Sequence, residues 1–263
     1  MNRTRIELDP AGIPDGIRPY LRNADTYDSS CSEAARVYYI DRDGGLFLKR
    51  YAAGQLKDEA AMTAYYHSLG LSAEVLSYVN TGEYDWLLTR RIPGEDCTHE
   101  MYRAEPAKLC DILATELRKL HEVRADDCPV KDRLEPYKTL ILSGYERGNY
   151  DPEHFRMLWE FPSREEAWKC AERGLSMLQK NVLIHGDYCL PNVLLDNWKF
   201  TGFIDVGSGG ISDRHIDILW GIWSLAFNLR TTRWTDRFMD AYGRELIDPD
   251  LLRCVAAMEM VSD

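Results

Sequence analysis

The sequence predicts an α+β chain of two lobes: an antiparallel sheet lobe carrying one helix, then a larger, mainly helical lobe. Two observations predict this. Up to residue 91 the chain is made of short β-rich runs broken by turn residues. Beyond Ile92-Pro-Gly-Glu95 the apolar residues recur at helical spacing. The boundaries that follow are 1–91 for the first lobe, 92–95 for a hinge and 96–263 for the second lobe.

The elements follow in order. Ala35–Ile40 and Leu46–Tyr51 read as strands joined by Asp41-Arg-Asp-Gly-Gly45, which has hairpin turn chemistry. A helix is expected over Gln55–Leu69, closed by Gly70. Strands over Glu74–Val79 and Trp86–Arg91 flank the turn Asn80-Thr-Gly-Glu83. In the second lobe Pro106 suits a first helical turn, and Leu109, Ile112, Leu113, Leu117 and Leu120 then mark one buried face. Cys128–Pro162, rich in Tyr, Gly and Pro, reads as a looser segment. Helices are expected over Arg164–Gln179, Asp213–Leu229 and Asp250–Met260.

Composition narrows the function. The 263 residues are 45% hydrophobic and 11% aromatic, which suits a folded core. A net charge of −11 argues against general nucleic-acid binding and favours cationic ligands. Seven scattered cysteines with no CxxC pair read as reduced thiols of a cytoplasmic protein. Cys189 reads as packing, not as a nucleophile, for want of an activating base nearby in sequence. The first residues, MNRTRIELDP, lack a signal-peptide core, and the apolar run Ile218–Leu229 is too short to span a bilayer, so no membrane partner is expected.

Chemistry concentrates in HGDYCLPNVLLDNWKFTGFIDVG, residues 185–207. Val182–Ile184 reads as a strand entering His185-Gly-Asp187. Val193–Leu195 and Phe200–Ile204 read as a hairpin about the turn Asp196–Lys199, which would bring Asn192 near Asp205. One amide oxygen and one carboxylate suit Mg²⁺, a hard ion that prefers oxygen donors. Asp187 is then available to orient an attacking hydroxyl and take its proton, so the set points to phosphoryl transfer.

His185-Gly-Asp187, four residues, Asn192, and then Ile204-Asp-Val-Gly207 resemble the aminoglycoside phosphotransferase group of the protein-kinase-like superfamily, closest in layout to the aminoglycoside 3′-phosphotransferases. The resemblance implies a two-lobed protein-kinase-like fold and a donor, ATP or GTP, used with Mg²⁺. The implied acceptor is a small-molecule hydroxyl, that of a cationic aminoglycoside. A metabolite acceptor, or a nucleotide-binding module without transfer, are the alternatives.

By that resemblance Lys49 binds donor phosphate, and Glu59, or alternatively Asp58, orients it. Ser29, Ser30 and Ser32 lie in the phosphate loop, Phe47 stacks on the base, and backbone groups of Arg90 and Ile92 bind its edge. Asp217 and His185 support the catalytic loop, and His121 reads as packing. Acidic residues Asp151, Glu153, Glu160, Glu259 and Asp263 are the implied acceptor ligands. The pattern departs from the group at Ser208, at Phe227-Asn228 and at the C-terminal Glu259-Met-Val-Ser-Asp263.

Overall fold

Strand and helix signals translate into a computed structural model that describes residues 4–31 and 34–262. They fall into two units, one of residues up to Gly94 together with Thr201–Gly207, the other of Glu95–Phe200 with Ser208 onward.

The first unit is an antiparallel sheet. Its strands are β1 (Thr4–Ile6), β2 (Asp25–Asp28), β3 (Arg36–Asp41), β4 (Leu46–Ala52), β5 (Val75–Asn80) and β6 (Tyr84–Arg90), in the order β1-β2-β3-β4-β6-β5. Tight reversal between β3 and β4 needs left-handed backbone, which Asp43 (φ 53°), Gly44 (φ 87°) and Gly45 (φ 103°) supply. The resulting register sets Tyr39 opposite Phe47 and Ile40 opposite Leu46. Alternation along β4 then sends Leu46 and Leu48 into a core with Ile13, Ile17, Ile40, Trp86 and Leu88. Burying each such leucine stabilises the unit by about 2 kcal/mol. Phe47 and Lys49 face the other way and stay half-buried. Helix α1 (Lys57–Ser68) follows β4 and carries Asp58 and Glu59 in its first turn, where carboxylates favour the helix dipole.

The second unit is mainly helical: α2 (Glu100–Arg103), α3 (Pro106–His121), α4 (Leu134–Arg147), α5 (Arg164–Leu175), α6 (Arg214–Leu229), α7 (Thr235–Tyr242) and α8 (Pro249–Ser262). Ser163 caps α5 through the Glu166 N–H, and Asp213 caps α6 through the His215 N–H. Helices α6 and α8 are buried almost all round, so they form the core of this unit. Close approach to α8 requires glycine at two places. A Cβ on Gly144 of α4 would lie 2.3 Å from the Ser262 carbonyl oxygen, and one on Gly174 of α5 would lie 2.4 Å from Cys254 Cβ.

Short strands interrupt the helices. β8 (Val182–Ile184) pairs antiparallel with β11 (Gly210–Ser212), Leu183 opposite Ile211, so both ends of the segment between them are pinned. β7 (Glu95–Asp96), β9 (Val193–Asp196) and β10 (Lys199–Phe203) form a second small sheet in the order β10-β9-β7, and β10 leads the chain back into the first unit.

Three expectations are corrected. Residues expected to be loose contain α4, whose inward face is only Leu134, Ile141 and Gly144, too sparse to show a clear period. The helix expected to reach Gln179 ends at Leu175. Strands β1 and β2 were not expected, because neither has an apolar alternation: β1 is mostly exposed and β2 reads DTYD. Among the described residues no helix is long and apolar enough to cross a membrane.

Candidate active site

In the first unit Lys49 sits on β4 between two acids. Its Nζ lies 2.8 Å from Glu59 Oε2, 2.9 Å from Glu59 Oε1 and 3.0 Å from Asp205 Oδ1. Asp58, the alternative, lies exposed on the helix. Burial acts to lower the Lys49 pKa, but the charges of Asp205 and Glu59 outweigh it and hold the ammonium above the ordinary lysine value. Glu59 is raised, first by burial and then by the charge of Asp205, with Lys49 opposing. The three form a connected charge cluster whose cation is fixed in place. Asp205 adopts φ 55°, a left-handed backbone that costs a non-glycine residue about 1–2 kcal/mol. Gly207 follows, and a Cβ there would lie 3.2 Å from Glu59 Cβ.

Other first-unit residues take the following places. Ser29 donates its N–H to the Val37 carbonyl at 2.8 Å, and Ser30 Oγ accepts from the Val37 N–H at 3.0 Å. Asp28, bonded by Ser30, is held below the usual carboxylate range. Both serines therefore tie the β2–β3 connection to β3. Phe47 lies 5.4 Å from the Tyr39 ring. Arg90 donates its N–H to the Glu74 carbonyl at 3.0 Å. Ile92 is buried, and a Cβ on Gly202 would come within 2.8 Å of its Cδ1. Ser32 and Asp263 lie outside the described residues.

In the second unit the loop from His185 to Asn192 is held by its backbone. Asp217, fully buried on α6, accepts the N–H groups of His185 at 2.7 Å and Gly186 at 2.8 Å. Leu190 N–H donates to Ser224 Oγ at 2.9 Å, about two helical turns beyond Asp217 on the same face of α6. Gly186 has φ 83°, and a Cβ there would lie 2.1 Å from the Ser208 carbonyl oxygen, so no other residue fits. His185 Nδ1 accepts the Asp187 N–H at 3.2 Å. Asn192 Nδ2 donates to Asp187 Oδ2 at 2.8 Å and to the Asp187 carbonyl at 3.0 Å. Asp187 is thereby fixed in both backbone and side chain. Cys189 is buried, and burial pushes its thiol up, as a packing residue requires.

Sequence reasoning missed what stands behind Asp217. His121 Nε2 lies 3.1 Å from Asp217 Oδ2, and His121 Nδ1 lies 2.7 Å from the Tyr242 hydroxyl. Burial lowers the His121 pKa, so the ring is neutral near pH 7 and carries one N–H. A carboxylate can only accept, so that proton sits on Nε2 and Nδ1 accepts from Tyr242. Burial pushes the Tyr242 phenol up to about 12, which keeps its proton available. A helix-end histidine next to an acid, Leu120-His121-Glu122, was the visible signal, but its partners lie 96 and 121 residues away.

The acidic residues behave differently from one another. Glu259 accepts from the half-buried Tyr137 hydroxyl at 2.7 Å. Glu153 and Glu160 both face Arg156, at 3.0 and 3.8 Å. Asp151 accepts the N–H groups of Glu153 and His154, closing a turn. Among the described residues no three His, Cys, Asp or Glu converge as metal ligands. Each unit offers oxygen donors of its own. Asn192 spends its Nδ2 on Asp187, which leaves the amide oxygen as its acceptor, and Asp205 offers a carboxylate. This donor chemistry fits a hard divalent ion.

Known proteins share both the fold and the sequence. The chain is 40% identical over 259 residues to a "Probable aminoglycoside 3'-phosphotransferase" of Lactococcus lactis subsp. lactis, covering 98% of each. It is 33% identical over 249 residues to an aminoglycoside 3'-phosphotransferase of Escherichia coli, covering 91% of this chain and 90% of that one. Its fold resembles the crystal structure of an aminoglycoside-3'-phosphotransferase of type VIII, with a TM-score of 0.69 and 22% identity over 98% of this chain and 93% of that one. It also resembles a Streptomyces rimosus aminoglycoside phosphotransferase solved with ADP and streptomycin, with a TM-score of 0.68 and 21% identity over 87% of this chain and 90% of that one. Residues 30–255 match the model of the phosphotransferase enzyme family, and the chain belongs to that family.

Proposed function

We propose that this chain transfers the γ-phosphoryl group of a nucleoside triphosphate to a hydroxyl of an aminoglycoside. The observation that carries the reading is the posture of Asp187. Its loop hangs from Asp217 by two backbone N–H groups, and its carboxylate is set by Asn192. In this reading Asp187 orients the acceptor hydroxyl and takes its proton as the oxygen attacks the phosphorus. Lys49, held by Glu59 and Asp205, carries positive charge to the donor phosphates. Asn192 and Asp205 would hold Mg²⁺, which supplies further neutralisation of phosphate charge when bound. ATP or GTP serves as donor, and the reaction belongs in the cytoplasm, where those nucleotides are available. The family and the 40% identical relative support the aminoglycoside as acceptor.

A less cationic metabolite is the second reading. Two of the exposed carboxylates, Glu153 and Glu160, are already answered by Arg156. Phe227, where the group tends to carry an acid, is 45% exposed.

A coupled assay of nucleoside diphosphate release tests both, with Mg²⁺ and ATP or GTP, across a panel of aminoglycosides, amino alcohols and sugars. Turnover should be stimulated by an aminoglycoside and fall roughly 10² to 10⁴ fold in Asp187→Asn. Near-full activity in that variant would remove Asp187 from the role, and stimulation by metabolites alone would establish the second reading.

A further inference from the structure

We infer that Cys170 and Cys254 form a dithiol site that a low-molecular-weight disulfide oxidises to an intramolecular disulfide. Cys170 lies on α5 and Cys254 on α8, 84 residues apart in sequence, yet their sulfurs are 3.2 Å apart. A disulfide needs about 2.05 Å, so the sulfurs must close by only about 1.1 Å. The helices are already in close contact at this point, where Gly174 leaves no room for a Cβ against Cys254. Side-chain rotation is therefore enough to make the bond, without a change in how α5 packs on α8.

Access and charge set the order of events. Cys170 is half-buried and reachable, while Cys254 is buried behind it. Arg173 holds a guanidinium nitrogen 3.4 Å from Cys254 Sγ and 4.0 Å from Cys170 Sγ, and anchors it on Asp250 at 2.6 Å. Burial, and then Cys254 itself, push the Cys170 thiol up to about 12, which makes the first exchange slow near neutral pH.

Written in full, the Cys170 thiolate attacks the small disulfide RSSR, forming a mixed disulfide and releasing one thiolate RS⁻. Cys254, giving up its proton, then attacks the Cys170 sulfur, forms the Cys170–Cys254 bond and releases the second RS⁻. The two thiol protons end on the two RSH molecules. Two protein thiols are oxidised and one RSSR is reduced.

The test uses the full chain with the exposed Cys31 replaced, Cys31→Ser, so that it cannot take up the reagent. The protein is incubated with oxidised glutathione, quenched in acid, alkylated under denaturing conditions and mapped by mass spectrometry. The expected result is a linked Cys170–Cys254 peptide pair with no bound glutathione, reversed by dithiothreitol. The melting temperature should rise by about 5 °C on oxidation, and both effects should be absent in Cys170→Ser. A stable glutathione adduct on Cys170, or full alkylation of both cysteines after prolonged exposure, would overturn the inference.

Discussion

Asp217→Asn preserves shape and size but replaces a two-oxygen acceptor with one oxygen and one NH₂ group. Three donors converge on the native carboxylate: His185 N–H at 2.7 Å, Gly186 N–H at 2.8 Å and His121 Nε2 at 3.1 Å. Whichever way the amide turns, its NH₂ confronts a backbone N–H in a fully buried place. An unsatisfied buried donor costs about 1–3 kcal/mol, and losing charge assistance from the remaining bonds adds about 1–2 kcal/mol. The sum, about 2–5 kcal/mol, corresponds to a melting temperature lower by about 10 °C for a chain of this size. Thermal melting followed by circular dichroism reads that shift directly. Phosphotransfer measured at low temperature, where the variant stays folded, reads the loop: kcat should fall at least about ten-fold, because the loop that positions Asp187 loses its hanger. A melting temperature within about 2 °C of the parent, with kcat unchanged, would refute the claim that this carboxylate holds the loop.

Further outcomes follow from the same contacts. Lys49→Met should lower kcat/KM for the nucleotide roughly 10² fold, the usual loss when one positioned cation or donor leaves a phosphate site. The same variant should show a distinctive pH dependence. With Lys49 gone, the burial that already raises Glu59 is no longer opposed, so its folded-state pKa climbs further. A carboxyl raised on folding binds its proton more tightly in the folded state, so the deficit in stability shrinks as pH falls from neutrality to about 5 and grows as pH rises. Denaturant titrations at the two pH values check the sign, and an unchanged deficit would count against the buried pair. Gly186→Ala should abolish activity and cost more than about 2 kcal/mol, since its φ of 83° and the 2.1 Å approach to Ser208 admit no side chain. Near-native yield and melting of that variant would show that the loop can relax.

What could be read in advance depended on how local each feature is. His185, Asp187, Asn192 and Asp205 stand within 21 residues of one another, and the residues around them alternate between turn and strand chemistry. Lys49 and Glu59 are separated by ten positions, on a strand and at the start of the following helix, so their meeting could be argued from order alone. The Tyr242–His121–Asp217 chain could not, since His121 and Tyr242 look like ordinary packing until three distant segments meet. The same holds for Cys170 and Cys254, whose wide spacing carries no motif. β1 and β2 were hidden for another reason: an edge pair with little to bury leaves no apolar alternation in sequence. α4 was hidden because Gly144, a poor helix former, is demanded there by the carbonyls of α8.

The grip of α6 on the His185–Asn192 loop is a grip on N–H groups, at His185, Gly186 and Leu190. Main-chain donors are common to every residue except proline, so Asp217 and Ser224 hold a path through space and are blind to the side chains strung along it. Shape and reactivity are thereby separate inheritances in this segment. Residues such as Cys189 or Leu190 can be exchanged for others of similar bulk while the curve that presents Asp187 is retained. A designer who wants a different chemistry on this scaffold should therefore alter what the loop displays and leave α6 untouched.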